Sequence, residues 1–228
     1  MGDMVNFDSD GGPRGHLAIP VSGSGPGVIV IQEWWGLNPQ MKGVADMLAV
    51  HGIVALAPDL YHGELAGHDE MDKAGELMTS LPAGRAAADM SAAVDFLLGH
   101  EAVTGDGIGV VGFCMGGMLT LLLAASRGDA VKVAVPFYGY PPPEAEPDWD
   151  GLTAMVRGHF AEADEHFPSV GARDLEARLQ AMGKDVQITF HGASHAWMNE
   201  TDPFGIYDPQ LAAELWPQVL GLLRSELA

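Results

Sequence analysis

A single cysteine, Cys114, stands among 228 residues, and its setting is Gly112-Phe113-Cys114-Met115-Gly116-Gly117. This is the G-x-S-x-G nucleophile pattern with sulfur in place of the hydroxyl. The pattern requires a strand before the nucleophile and a helix after it. Ile108 to Phe113 predicts the strand and Met115 to Arg127 the helix. Glycines two before and two after Cys114 admit the close backbone approach of a sharp turn. The positive end of the following helix predicts a lowered thiol pKa and a thiolate. The amide of Met115 is placed to receive an oxyanion. The competing reading is a buried, inert thiol.

A nucleophile for acyl transfer needs a base, and the base needs an orienting acid. In the order nucleophile, acid, histidine, the acid belongs after the strand predicted at Thr153 to Phe160. The sequence there is Ala161-Glu162-Ala163-Asp164-Glu165-His166, with Asp164 favoured and Glu162 competing. The histidine belongs after the strand predicted at Val186 to Phe190, where Gly192-Ala193-Ser194-His195-Ala196-Trp197 offers His195. His159 and His191 fall within strands, and His166 directly follows the acid loop. A dinucleotide pattern, Gly107-Ile108-Gly109-Val110-Val111-Gly112, is also present. Its glycines lie inside the predicted strand rather than opening a helix, so it carries no cofactor.

The elements that must position these residues alternate along the chain. Met4 to Phe7 and His16 to Val21 flank Asp10-Gly11-Gly12, an opening β-hairpin. Val28 to Ile31 reads as a strand buried on both faces. Asn38-Pro39 caps a helix carrying Met41, Val44, Ala45 and Leu48, closed by Gly52. Ile53 to Ala57 is a strand, followed by helices at Met71 to Ser80 and Ala86 to Leu98. Val131 to Phe137 is a strand, Pro141 to Trp149 is a lid, an interface or a loop, and helices follow from Ser169 and Asp208-Pro209. Strands alternating with helices predict an α/β fold in one domain over residues 1–228. Its sheet is mostly parallel and twisted, with helices on both faces, and its site lies beyond the carboxyl ends of the strands.

Composition narrows the partners. Thirty-one acids against eleven bases give a net charge of −20, which repels nucleic acid and anionic lipid surfaces. Such acidity fits a halophilic source or selection for solubility. No apolar run approaches the roughly 20 residues of a membrane span, and no signal-peptide pattern opens the chain. A cytoplasmic protein acting on a small molecule, as monomer or homodimer, is the expectation, with no metal or organic cofactor.

The combination of Gln32-Glu33-Trp34-Trp35-Gly36-Leu37-Asn38, Ala57-Pro58-Asp59-Leu60-Tyr61, the Cys114 segment, Tyr138-Gly139, Asp164 with Pro168, and Ser194-His195-Ala196-Trp197 resembles the dienelactone hydrolase family of α/β-hydrolases across nearly the whole chain. The resemblance implies a Cys114–His195–Asp164 triad that hydrolyses an ester or lactone through a thioester acyl-enzyme. It implies the amides of Trp34 and Met115 as the oxyanion hole. It further implies that Glu33 holds the resting thiol away from the histidine and helps generate the thiolate once substrate binds. A carboxylate buried beside Trp34 and Trp35 has a raised pKa, which suits it to accept a proton. The family's carboxylate-gripping arginines are missing: Asn199 occupies one position, and Met71, with Lys73 close by, the other. Lys73 or Arg85 would compensate only in part. Trp35, Tyr138, Trp197 and Met198 suggest an apolar pocket, or a plain aromatic and methionine core. A small neutral ester or lactone is the expected substrate. The alternatives are a thioesterase or acyltransferase with the same nucleophile, and a non-catalytic thiol redox sensor.

Overall fold

The computed structural model describes residues 2–7 and 12–228. Eight strands form one sheet: β1 (Asp3–Asn6), β2 (Arg14–Ala18), β3 (Gly25–Ile31), β4 (Val54–Pro58), β5 (Val103–Phe113), β6 (Val131–Phe137), β7 (Met155–Ala163) and β8 (Val186–Ser194). Their spatial order is β1-β2-β4-β3-β5-β6-β7-β8. β3 to β8 pair in parallel, while β2 pairs antiparallel with both β1 and β4. β1 and β2 are the arms of the expected hairpin, whose Asp10 and Gly11 lie outside the described residues. The result is the expected α/β fold with a mostly parallel sheet.

The helices are α1 (Pro39–Val50), α2 (Met71–Ser80), α3 (Ala83–Gly99), α4 (Met115–Arg127), α5 (Ser169–Ala181) and α6 (Pro209–Glu226). Strand alternation divides the core between two faces. On β3, Val28 and Val30 pack toward Met41 and Leu48 of α1 and Leu215 and Val219 of α6. Ile29 and Ile31 pack on the other face with Val94 of α3, Leu121 of α4 and Leu175 of α5. Each such fully buried branched side chain contributes roughly 1.5–3 kcal/mol of burial, so the central strands form a firm platform. Asn38 caps α1 by accepting the Met41 N–H at 3.0 Å, and Gly52 stops the chain with φ +84°. Among the described residues no helix is long and apolar enough to cross a membrane.

Three strands and one helix extend beyond their apolar cores. β5 begins at Val103, although Gly105 and Gly107 interrupt its apolar pattern. β7 continues to Ala163 and β8 to Ser194, paired Ala163↔Ser194 after a register shift between Ala161 and Ala163. The stretch read as a loop from Gly192 is therefore strand up to Ser194, the partner strand overriding its glycine. α3 starts at Ala83, directly after Pro82. The consequence for the site is that β7 and β8 deliver Asp164 and His195 immediately off paired strand ends.

Candidate active site

Cys114 is the single residue between β5 and α4, and its backbone sits at φ 55°, ψ −120°. A non-glycine residue held there costs on the order of 1–3 kcal/mol, maintained by the surrounding structure. The Cys114 N–H donates to the Phe137 carbonyl at 3.1 Å, and the Cys114 carbonyl accepts from Gly117 and Met118 at 2.9 and 3.2 Å. Close packing completes the turn: a Cβ on Gly116 would collide with the Ile31 and Gln32 carbonyls, and one on Gly139 with the Cys114 carbonyl. These glycines are demanded by backbone approach.

The thiol itself corrects one expectation. The Met115 N–H does reach the Cys114 sulfur, but burial together with the nearby Glu33 and Asp164 charges pushes the thiol well above the usual range. Desolvation outweighs the helix end because Cys114 is half-buried and little water reaches it to solvate an anion. These effects favour the thiol over the thiolate.

Asp164 follows the last residue of β7. Its Oδ1 accepts backbone N–H groups from His166 at 2.9 Å and Phe167 at 2.8 Å, and its Oδ2 lies 2.9 Å from His195 Nδ1. An ionised carboxylate only accepts, so the shared proton belongs to His195 Nδ1 and Nε2 is left free as a base. Phe167 stacks on the imidazole with centroids 5.6 Å apart, and His166 and Tyr138 meet it edge-on. The competing acid, Glu162, is exposed and paired with Arg173 at 2.6 Å.

Glu33, two residues beyond β3, is 2% exposed. Its Oε1 accepts from the Tyr138 hydroxyl at 3.3 Å and its Oε2 from Asn199 Nδ2 at 2.7 Å. Burial pushes its pKa up, opposed by His195, Asn199 and Tyr138. The pairing Ile31↔Gly112 sets the Trp34 turn beside the Cys114 turn, so Trp34 and Met115 meet at the same end of the sheet.

The four expected pocket residues are packed interior. Trp35 is 1% exposed and packs with Ala66 and Ala74. Tyr138, Trp197 and Met198 pack with Phe113 and Phe137 between the sheet and α6. Their free surface is small, and of the four Tyr138 reaches the site, meeting both Glu33 and His195. A cleft of about 440 Å³ opens nearby, between Pro39, Leu65, Ala66, His68 and Thr201. Of the two cations expected to compensate for missing arginines, Lys73 lies 4.0 Å from Glu70 and Arg85 donates to the Leu60 carbonyl at 3.5 Å. Sequence reasoning misses two contributors. Asn199 reads in sequence only as a missing arginine, although an amide four residues after His195 is a signal for a polar partner. Tyr61, at the end of the Ala57-Pro58-Asp59-Leu60-Tyr61 run, places its hydroxyl 3.6 Å from Met115 Sδ. Among the described residues no three His, Cys, Asp or Glu side chains converge as a metal site.

Comparison with known proteins identifies the family. The dienelactone hydrolase family model matches residues 14–227. Protein usf of Aquifex pyrophilus is 36% identical over the full length of both chains. A carboxymethylenebutenolidase of Pseudomonas sp. (strain P51) is 31% identical, covering 87% of this chain and 86% of its own. The crystal structure of a dienelactone hydrolase-like promiscuous phosphotriesterase from metagenomic libraries superposes with a TM-score of 0.85 over 100% of this chain and 99% of that one, at 23% identity, a likeness of fold. With a half-buried cysteine at a strand-to-helix turn and the family match spanning nearly every element, the chain belongs to the dienelactone hydrolase family and is a hydrolase of the ester or lactone type.

Proposed function

We propose that the protein hydrolyses a small, uncharged carboxylic ester or lactone through a thioester on Cys114. His195 Nε2 takes the thiol proton as sulfur attacks the carbonyl carbon. The amides of Trp34 and Met115 stabilise the oxyanion. The C–O bond to the alcohol then breaks, and His195 returns the proton to the leaving oxygen. Water, deprotonated by His195, attacks the thioester, releasing the acid and restoring the thiol. Asp164 holds His195 in the tautomer this sequence needs. Glu33 is a second proton acceptor beside Cys114, and its charge favours the thiol as the resting form.

The observation that carries this reading is the Asp164–His195 contact of 2.9 Å, with the second carboxylate oxygen fixed by two backbone amides, at the same strand ends as the Cys114 turn. Support for an uncharged substrate comes from the partners of the site groups. Among the described residues, those of Glu33, Asp164 and His195 include no lysine or arginine. An anionic substrate would meet two carboxylates without a countercharge. Hydrolysis of a chromogenic acetate ester near neutral pH, wild type against Cys114→Ala, tests the proposal. Release by the wild type alone supports it, and equal release by both overturns it.

A further inference from the structure

Glu33 poses a problem that its own position does not solve. A carboxylate 2% exposed loses its hydration, and unless donors replace the lost water it takes up a proton. The Tyr138 hydroxyl supplies one donor, at 3.3 Å, long for an O–H···O bond. The shorter contact, 2.7 Å, comes from Asn199 Nδ2. Asn199 is itself 1% exposed, and its orientation is set by its other end. Asn199 Oδ1 accepts the Thr201 N–H at 3.1 Å and also the Thr201 hydroxyl. Turning the amide over would set an NH₂ group, which cannot accept, against the Thr201 N–H. Thr201 therefore dictates that Asn199 presents a donor to Glu33.

The loop that carries this pair is held by its backbone. Ala196 and Asp202 occupy left-handed conformations at φ 63° and 48°. The Asn199 N–H donates to the Ala196 carbonyl and the Asp202 N–H to the Asn199 carbonyl, both at 3.0 Å. Asp202 Oδ1 accepts from the N–H groups of Ile206 and Tyr207. An amide fixed this way bonds more strongly to an ionised Glu33 than to a neutral one, and it bars a proton from Oε2, which would face the Asn199 NH₂ with no acceptor.

We infer that Asn199, locked by Thr201, is a positioning residue that holds Glu33 ionised and aimed within the site; its consequence for turnover rests on the role proposed above for Glu33. The titratable groups around Glu33 are His195 from the end of β8, Tyr138 from the end of β6 and Cys114 from the start of α4. Asp164 from the end of β7 stands near Cys114 and Tyr138, and Tyr61 after β4 stands near Cys114. Removing the Asn199 donor leaves these in place and weakens only the ionised form of Glu33. The expected signature is an acid limb displaced to higher pH.

The test is the pH profile of kcat/KM on the chromogenic acetate for wild type, Asn199→Ala, Thr201→Val and Glu33→Gln, with the double variant Glu33→Gln/Asn199→Ala. Asn199→Ala is expected to lose about tenfold near neutrality, the acid limb moving up, as one charge-assisted hydrogen bond is lost. Thr201→Val moves the limb the same way by less, and its outcome decides should Asn199→Ala melt at the assay temperature. In the Glu33→Gln background the Asn199 substitution should cost under about twofold, since coupled residues are not additive. Unmoved acid limbs, or the full loss persisting in that background, would overturn the inference. Turnover that survives Cys114→Ala would instead overturn the proposed function, so the two failures are distinct.

Discussion

Replacing Asp164 by asparagine tests the catalytic geometry most directly, because one atom changes while the contacts around it stay fixed. Asp164 Oδ1 is held by the His166 and Phe167 amides. In the Asp164→Asn variant the carbonyl oxygen of the new amide takes that place, since the NH₂ cannot accept. The NH₂ then faces His195 Nδ1, 2.9 Å from the carboxylate in the wild type. It donates where the carboxylate accepted, so the proton moves to Nε2 and the base facing the nucleophile is lost. The charge-assisted bond alone is worth roughly 1.5–3 kcal/mol, or about 10–150-fold in rate. The reversed tautomer carries the total toward the ~10⁴-fold seen for the same change in a serine triad. Chromogenic acetate hydrolysis should thus fall by about 10²–10⁴-fold, while the melting temperature stays close to wild type because both amide bonds survive. Glu162→Gln, altering an exposed acid paired with Arg173, should stay within about twofold, as surface changes do. Activity of Asp164→Asn within a few-fold of wild type would refute the tautomer argument.

Glu33→Gln removes an anion that raises the Cys114 pKa, so thiolate at neutral pH increases; iodoacetamide should alkylate this only cysteine faster, even as ester turnover falls. Gly139→Ala forces a Cβ into the Cys114 carbonyl and should cost at least ~3 kcal/mol, read as a lowered urea midpoint. His159, buried against His191 and the Phe137 ring, has its pKa depressed from 6.5 to about 4. The unfolded state therefore binds the proton first, and stability falls by up to ~3 kcal/mol as pH drops from 6.5 toward 4; His159→Phe should flatten that part of the melting profile. An ester bearing a carboxylate should show a KM above that of its neutral analogue at low ionic strength, narrowing as salt screens the field of a chain at −20.

Much of this site is legible in sequence because its residues sit where apolar runs end. Cys114 follows a short apolar run, Ile108 to Phe113, and precedes a periodic helix, so its placement needs only pattern. Asp164 against Glu162 is not decidable that way, since both lie within a few residues of the strand end. The choice is made in space, where Arg173 of α5 pairs with Glu162 while the amides of His166 and Phe167 turn in on Asp164. The true ends of β7 and β8 are hidden because pairing across a register shift overrides Gly192. The protonation state of Cys114 is misread for a similar reason: the helix end is local and visible in sequence, whereas burial and Glu33, 81 positions earlier in the chain, are tertiary. The depth at which Tyr138 and Trp197 are buried is a matter of which face α6 covers, which composition does not specify.

Four arginines are paired with acids other than Glu33. Arg127 pairs with Asp95, Arg157 with Asp185, Arg173 with Glu162 and Arg178 with Glu146 and Asp174. Each is a pairing near the surface, in a chain with 31 acids and eleven bases. An arginine at position 199 would have stabilised the Glu33 carboxylate more strongly than an amide does. It would also have brought a full positive charge into the site, favouring anionic ligands and drawing the Glu33 pKa down, away from the range in which a carboxylate exchanges protons with a buried thiol. Asn199 and Tyr138 instead replace part of the lost hydration and leave the charge of Glu33 uncancelled. That residual charge adds to the larger effect of burial in favouring the thiol form of Cys114. Through Glu33, the choice of an uncharged partner at one position thus links substrate preference to the protonation state of the nucleophile.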